Sequence, residues 1–178
     1  MKALTKTELD RLLDYLLVTD NVMYAACLSG FRHGMRVSEI CDLRRSDIDM
    51  LAGTIQVRHL KGSNTVLQAL GQDEQAALKI TLDRFPTSPY AFANTRGAPF
   101  DRDSFYYRFH KACLAVGIPK DKAHPHSLRH ALGFRLAEAN VSLPIIQAAL
   151  GHRSPASTFC YANPSADTVN RVMREVIG

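Results

Sequence analysis

Apolar residues in the first part of the chain recur with helical spacing. One stripe is formed by leucines that fall three or four positions apart, namely Leu9, Leu12, Leu13, Leu16 and Leu17. Thr5 followed by Glu8 has the spacing of an N-terminal capping box. Together these features predict a core helix over residues 5–18.

A second apolar segment, residues 20–33, predicts another helix. Gly34 is a suitable stop for it, because glycine accepts the left-handed backbone conformation found at helix ends. A short third helix is expected from Ser38 to Leu43, with Ile40 facing inward. Arg36 would then lie in the turn between two helices.

The pattern changes period in the middle of the chain. Residues 54–60 alternate between apolar and polar as a strand does, residues 61–64 have turn composition, and residues 65–70 alternate again. We therefore predict an antiparallel hairpin with Lys61 at its tip. Residues 90–94 are predicted to form one further short strand.

The remaining segments favour helices. The predicted ranges are 72–84, 101–115, 125–139, 144–151, a short helix ending near Cys160, and an amphipathic tail over 166–177. This succession predicts an α+β fold that is predominantly helical and carries one small antiparallel β-sheet. A length of 178 residues suits a single domain spanning 1–178.

Composition and charge narrow the class of protein. Hydrophobic residues make up 46% of the chain and charged residues 22%, which argues for a packed core and against disorder. A net charge of +5 is compatible with a polyanionic partner without requiring one. The sequence shows no signal peptide and no apolar run long enough to cross a membrane.

The four cysteines argue for a reducing compartment. They are Cys27, Cys41, Cys113 and Cys160, and no pair has the C-x-x-C spacing. Each lies in an apolar or helical context, so we interpret them as small core residues of a cytoplasmic protein rather than as disulfides or metal ligands.

The stretch from His124 to Tyr161 holds polar side chains that packing does not demand. His126 and Arg129 have the spacing H-x-x-R, His152 ends the triplet L-G-H, and Tyr161 follows nine residues later. If Arg36 and Lys61 converge on the same place, six groups suited to phosphoryl transfer would meet there.

Each of the six groups has a plausible task at a phosphodiester. The two arginines, Arg36 and Arg129, can hold phosphate oxygens and stabilise the charge on a five-coordinate phosphorus. Tyr161 can act as the nucleophile, with His126 as the base that takes its proton. Lys61 can protonate the leaving 5′ oxygen, and His152 can donate a further hydrogen bond to the phosphate.

Attack by a tyrosine requires neither a metal nor a nucleotide, because the covalent ester conserves the bond energy for rejoining. We therefore expect no cofactor. His124, His126 and His130 also invite a zinc interpretation, but the glutamate of H-E-x-x-H is missing between the last two. We expect His130, which is adjacent to Arg129, to face another way on the helix and to make a structural hydrogen bond.

Several motifs together resemble the tyrosine recombinase (phage integrase) family. They are G-M-R-V-S-E at 34–39, Lys61-Gly62, P-H-S-L-R-H at 125–130, L-G-H at 150–152 and Tyr161. Their wording is most similar to that of the small fimbrial phase-variation recombinases, which invert a promoter-bearing DNA segment. Leu132-Gly133-Phe134 departs from the Thr-Phe-Ala of many members.

The resemblance implies a specific activity. The chain would be a tyrosine-recombinase catalytic domain without a separate N-terminal core-binding domain. It would bind double-stranded DNA at inverted repeats and cleave one strand to a 3′-phosphotyrosyl intermediate. The implied catalytic residues are Arg36, Lys61, His126, Arg129, His152 and Tyr161. Four protomers would assemble on DNA through the C-terminal helix 166–177, although the apolar stripe of that helix permits packing within its own chain equally.

Two other functions remain open at this point. One is a catalytically silent DNA-binding regulator or accessory protein on the same scaffold. The other is a topoisomerase-like nicking enzyme that relaxes supercoils without recombining sites. The presence of all six groups argues against the first, because a DNA-binding protein gains nothing from Tyr161.

Overall fold

The computed structural model describes residues 3–58, 65–162 and 166–177. These ranges contain eight α-helices: α1 Lys6–Thr19, α2 Asn21–Arg32, α3 Val37–Cys41, α4 Gln72–Arg84, α5 Arg102–Ala115, α6 His126–Glu138, α7 Leu143–Leu150 and α8 Ala166–Ile177. Short 3₁₀ helices span Arg45–Asp47, Pro155–Ser157 and Phe159–Tyr161. None of these helices is long and apolar enough to cross a membrane. The α+β class with a predominance of helix is confirmed.

One antiparallel sheet of three strands, in the order β1-β2-β3, is present in the described ranges. The strands are β1 Ile48–Asp49, β2 Thr54–Val57 and β3 Val66–Ala69. Thr54 pairs with Ala69 and Val57 with Val66, as the predicted hairpin requires. The predicted tip, including Lys61, lies outside the described residues.

The strand predicted at residues 90–94 is wrong. Ala91, Phe92 and Ala93 are all buried, so the segment lacks the alternation of a strand with one exposed face. Its two ends make isolated bridges to different neighbours, Tyr90 to Arg44 and Ala93 to Pro99. Because the neighbour changes within four residues, no continuous ladder forms. The sequence analysis also missed β1, which is only two residues long.

Helix α2 lies at the centre of the main core. Eight of its residues are buried, and it packs against α1, α4, α5 and α6. A small residue also allows close contact with α3: a Cβ added at Gly30 would lie 2.6 Å from Cδ1 of Ile40. The C-terminus of α2, and the turn that follows it, are therefore fixed by neighbours on several sides.

A smaller apolar cluster lies beside α6 and α7. Its buried members are Ile146, Leu150 and Tyr161, and Leu132, Phe134 and Leu136 are among the residues packed around them. The cluster joins the second half of α6 to the 3₁₀ helix that contains Tyr161. The candidate nucleophile is thus part of a packed core and is not an isolated surface residue.

Two local predictions concern the capping box at the start of α1 and the burial of the cysteines. The capping box is present, with Thr5 N–H donating to Glu8 and Glu8 N–H donating to the Thr5 hydroxyl. Cys27, Cys41 and Cys113 are buried free thiols, as expected, whereas Cys160 is partly exposed.

A buried polar network connects α2, β3 and α4. The Glu74 carboxylate is fully buried and accepts from the Ser29 hydroxyl at 2.6 Å and from Nε2 of His33 at 3.0 Å. Nδ1 of His33 lies 2.8 Å from Oε1 of Gln68 on β3. Arg32 pairs with the exposed neighbour Asp73. The hairpin strand is thereby tied to the last turn of α2.

Glu74 should contribute strongly to stability, and in a pH-dependent way. Burial by itself raises the pKa of Glu74, but the hydrogen bonds from His33 and Ser29 and the charge of His33 outweigh it and lower the pKa below its usual value. A carboxylate with a depressed folded pKa stabilises the protein above the unfolded pKa, and this stabilisation is lost as the pH falls through the folded pKa.

We expect Glu74→Gln to lower the free energy of unfolding at pH 7 by about 3 kcal/mol, because it removes the buried carboxylate that accepts from Ser29 and His33 and lies 3.6 Å from the Arg32 guanidinium. The matched control, Asp73→Asn, removes an exposed carboxylate and should cost no more than about 1 kcal/mol. Urea unfolding at pH 7 and at pH 4 measures both. This account would be contradicted if the wild type and Glu74→Gln differed in free energy of unfolding by the same amount at pH 7 and at pH 4.

Candidate active site

Arg36 lies in the turn between α2 and α3, as the sequence predicted. Its backbone N–H donates to Oε2 of Glu39 at 2.8 Å, and its guanidinium donates to Oε1 at 2.8 Å. The Glu39 side chain thus both caps α3 and orients the Arg36 guanidinium. The Arg36 side chain keeps 31% of its surface exposed, whereas Glu39 keeps 1%. The guanidinium is held at its base and open to a ligand at its edge.

Arg129 is the most deeply buried cation of the site, with 2% of its surface exposed. It lies in the first turn of α6, and its guanidinium donates to the carbonyls of Gly34 and Leu150. The side chain therefore connects the turn before α3 with the C-terminus of α7. Burial and the nearby charge of Arg36 lower the pKa of Arg129 to about 10.

Gly34 allows these parts to approach each other. Its φ of +58° is in the left-handed region, and an added Cβ would lie 2.6 Å from Cδ2 of Leu150 and 3.1 Å from Cδ2 of Leu132. Glycine is required here both for the backbone turn and for the contact with α7. The close approach places the Gly34 carbonyl within reach of Arg129.

Tyr161 is held in a pocket of its own chain. It is 4% exposed, and its ring meets Phe134 edge-on at a centroid distance of 5.1 Å. The imidazole of His152 lies nearly parallel to it at 6.3 Å. Gly133 forms the floor, since a Cβ there would lie 2.4 Å from the ring.

The hydroxyl of Tyr161 lies 2.8 Å from Nδ1 of His130. Burial, reinforced by the neighbouring Cys160, raises the pKa of Tyr161 to about 12. Burial and the neighbouring histidines and Arg129 lower the pKa of His130 to about 4. At neutral pH both groups are therefore uncharged, and in the tautomer that carries its proton on Nε2 the tyrosine O–H donates to Nδ1 of His130.

His152 is placed by the end of α7. Gly151 adopts φ +57° and ψ +44°, which ends the helix and turns the chain toward Tyr161. Nδ1 of His152 lies 2.9 Å from the hydroxyl of the buried Thr158. This contact fixes the ring plane against Tyr161.

His126 is the first residue of α6 and lies at the exposed edge of the site. Its ring is 5.7 Å from that of His130. Partial desolvation and the charges of Arg129, His124 and Arg36 lower the pKa of His126 below its usual value. The imidazole is thus neutral near pH 7, which is the state a general base requires.

The structure brings five of the six predicted residues together, and Lys61 lies outside the described residues. The five are Arg36, His126, Arg129, His152 and Tyr161. The predicted base, His126, is close by, but the residue in contact with the tyrosine hydroxyl is His130. Sequence spacing contained a signal for this contact, because His130, Gly133 and Phe134 fall at i, i+3 and i+4 on one helix face.

The arrangement can recognise and attack a phosphate. The two cations Arg36 and Arg129 outnumber the single buried carboxylate beside them, that of Glu39. The site therefore carries a net positive charge and favours an anion. A phenol oxygen lies in the same pocket. Within the described ranges no three His, Cys, Asp or Glu side chains are arranged to hold a metal ion.

Comparisons with known proteins identify relatives of this chain. Residues 2–167 match the phage integrase family. The type 1 fimbriae regulatory protein FimB of Escherichia coli strain K12 is 36% identical over 148 residues, covering 80% of this chain and 74% of FimB.

Solved structures share the fold. The XerA recombinase has a TM-score of 0.81 at 28% identity, over 98% of this chain and 65% of that protein. The XerH site-specific recombinase bound to its difH substrate has a TM-score of 0.82 at 20% identity, over 97% of this chain and 53% of that protein. The chain thus spans about three quarters of FimB and between half and two thirds of these two recombinases.

The two carbonyl contacts of Arg129 should stabilise the fold. We expect Arg129→Leu to lower the free energy of unfolding by about 3 kcal/mol, because it leaves the buried carbonyls of Gly34 and Leu150 without a donor. The matched control is Arg135→Leu on the same helix, whose guanidinium lies 4.7 Å over the Phe31 ring. It should cost no more than about 1 kcal/mol. Equal losses in urea unfolding would refute the special role of Arg129.

Proposed function

The chain belongs to the phage integrase family of tyrosine recombinases, and on that premise we propose that it cleaves and rejoins duplex DNA through Tyr161. The observation that carries the proposal is the placement of Tyr161 in one pocket with Arg129, whose neighbour Arg36 is partly open to solvent. A nucleophile, two phosphate-binding cations and neutral histidines are then supplied by one chain.

The proposed reaction requires no cofactor, because side chains of the protein supply the nucleophile and carry the protons. The Tyr161 oxygen forms a bond to the scissile phosphorus, and the bond from phosphorus to the 5′ oxygen breaks. The phenolic proton passes to His126, and Lys61 protonates the departing 5′ oxygen. Arg36, Arg129 and His152 bind the non-bridging oxygens as charge develops on them. Attack by a second 5′ hydroxyl on the phosphotyrosyl ester reverses these steps and rejoins the strand.

Similarity to the fimbrial protein supports a role in inverting a DNA segment flanked by inverted repeats. Each repeat would bind protomers, and four protomers would exchange strands in the synapse. Exposed apolar residues on α8 support assembly through that helix: Val169, Val172, Met173, Val176 and Ile177 are between 40% and 78% exposed. Their exposure favours contact with a second protomer over packing within the chain.

Residues 1–178 would act as one catalytic domain. The main core unites α1 to α6, and the smaller cluster around Tyr161 shares α6 with it. A DNA substrate and free cysteines support a cytoplasmic location for the proposed activity.

Covalent trapping tests the nucleophile. The protein is incubated with nicked duplex DNA carrying inverted repeats from the locus that encodes it, and SDS-resistant protein–DNA adducts are quantified. We expect the wild type to form an adduct and Tyr161→Phe to form none while binding the same DNA with similar affinity. Arg36→Ala should slow adduct formation on the order of 100- to 1000-fold, because it removes a donor to the developing charge.

A normal adduct from Tyr161→Phe would exclude this tyrosine as the nucleophile. Salt-sensitive binding without any wild-type adduct would favour the DNA-binding regulator. Relaxation of supercoiled DNA without exchange between sites would instead favour the nicking enzyme.

The assembly surface is tested by a charge on α8. We expect Val172→Asp to weaken binding of the second protomer to a two-site DNA about 10-fold, since it buries an unpaired carboxylate in the proposed contact. Asn170→Asp adds the same charge to this helix at a position that is already polar and exposed, and it should change binding less than about 2-fold. Gel-shift titrations measure both steps, and equal effects of the two variants would remove α8 from the interface.

A further inference from the structure

The contact between Tyr161 and His130 combines a hydrogen bond with burial. The hydroxyl lies 2.8 Å from Nδ1 of His130, and the two ring centroids are 6.1 Å apart. The tyrosine is 4% exposed. A buried phenol that lost this partner would leave its hydroxyl unsatisfied, which is unfavourable.

His130 is suited to holding the hydroxyl and poorly suited to deprotonating it. The positive or titratable groups around it are His126, His124 and Arg129, and all of them disfavour an added proton on the imidazole. The pKa of about 4 for His130 and of about 12 for Tyr161 are far apart, so proton transfer between them is strongly uphill. The imidazole remains an acceptor, and the task of a base falls to another group.

Gly133 controls whether the tyrosine ring fits at all. An added Cβ would lie 2.4, 2.5 and 2.8 Å from three ring carbons of Tyr161, and the ring supplies all three of the nearest atoms. Gly133 lies one helical turn after His130, on the same face of α6. Any side chain at this position would displace the ring from its place against Phe134 and His152.

We propose that His130 and Gly133 are positioning residues for the nucleophile: the imidazole of His130 fixes the Tyr161 hydroxyl, and the absent side chain of Gly133 admits the Tyr161 ring into the pocket of its own chain. The phenol is thereby stored neutral and buried beside the phosphate-binding arginines. On engaging DNA it exchanges the His130 nitrogen for the scissile phosphate. The docking itself is independent of the proposed function, whereas its effect on cleavage rests on that function.

A double-mutant cycle in the free protein tests the hydrogen bond. The unfolding equilibrium is measured for the wild type, Tyr161→Phe, His130→Ala and the double variant. We expect the effects to be non-additive by about 5-fold in the unfolding constant, which corresponds to about 1 kcal/mol. Additive effects would overturn the docking contact, whatever the protein does to DNA.

Single-turnover adduct formation at saturating DNA tests the consequence. His130→Ala should slow the rate at least about 10-fold with DNA affinity unchanged within about 2-fold. His130→Asn should recover the rate to within about 3-fold of the wild type, because the asparagine Oδ1 occupies the place of Nδ1 and accepts the same hydrogen bond. A purely packing role for His130 predicts no such rescue. Equal rates for the alanine variant and the wild type would overturn the positioning role.

Gly133→Ala tests the space that Gly133 leaves for the ring. The higher helix propensity of alanine offsets only part of the packing lost when the buried ring leaves, so the protein should stay folded with a lower thermal midpoint. The adduct rate should nevertheless fall at least about 10-fold, because the ring is expelled. An adduct rate equal to that of the wild type would overturn the role of Gly133 in admitting the Tyr161 ring. If this variant does not fold, the comparison of His130→Ala with His130→Asn decides the matter.

These experiments also distinguish the docking of Tyr161 against His130 from the recombinase chemistry. Coupling between His130 and Tyr161 without any wild-type adduct would retain the docking and remove the recombinase chemistry. A wild-type adduct without coupling, and with full activity in His130→Ala, would retain the chemistry and remove the docking.

Discussion

The buried guanidinium of Arg129 is the contact on which the site depends. It connects two backbone carbonyls that are far apart in sequence, one in the turn after α2 and one at the end of α7. Because buried carbonyls require donors, this single side chain fixes the position of the α7 end against the α2–α3 turn. Arg36 follows the first carbonyl by two residues, and Gly151 and His152 follow the second. The geometry of the pocket thus follows from one side chain.

That dependence reaches the sheet through the polar network around Glu74. His33 precedes Gly34 and contacts both Glu74 on α4 and Gln68 on β3. A strand of the hairpin is therefore joined to the residue whose carbonyl accepts from Arg129. The fold uses buried polar contacts, which are directional, where the relative placement of catalytic elements matters, and apolar packing elsewhere.

The electrostatics of the pocket favour an anionic ligand. The pKa of Arg129 is lowered, and so is that of His126, since each is partly desolvated and lies near other cationic groups. Tyr161 is neutral for the complementary reason, because burial disfavours the phenolate. A phosphate among these groups would offset the repulsion between the arginines. Occupation of this pocket by an anion and the protonation of its groups are thereby linked through the same charges.

The predicted helix stops, Gly34 and Gly151, lie directly before the segments that carry Arg36 and His152. The periodicity of apolar residues was sufficient to predict most helices, because each helix buries one apolar stripe. It failed at residues 90–94, where an apolar run lies buried on all sides and resembles a strand. The motif spacing was also sufficient to single out Arg36, His126, Arg129, His152 and Tyr161, because their residue types suit one reaction.

By itself, then, the sequence was sufficient to predict the helices and the hairpin, and it singled out side chains whose chemistry suits phosphoryl transfer. Only the tertiary structure decided that Tyr161 is docked in its own chain, that its hydroxyl meets His130 and not His126, and that Arg129 holds two backbone carbonyls. The physical reason is that these contacts join residues whose separation in space depends on helix packing and loop closure. Local propensity carries no information about such long-range distances.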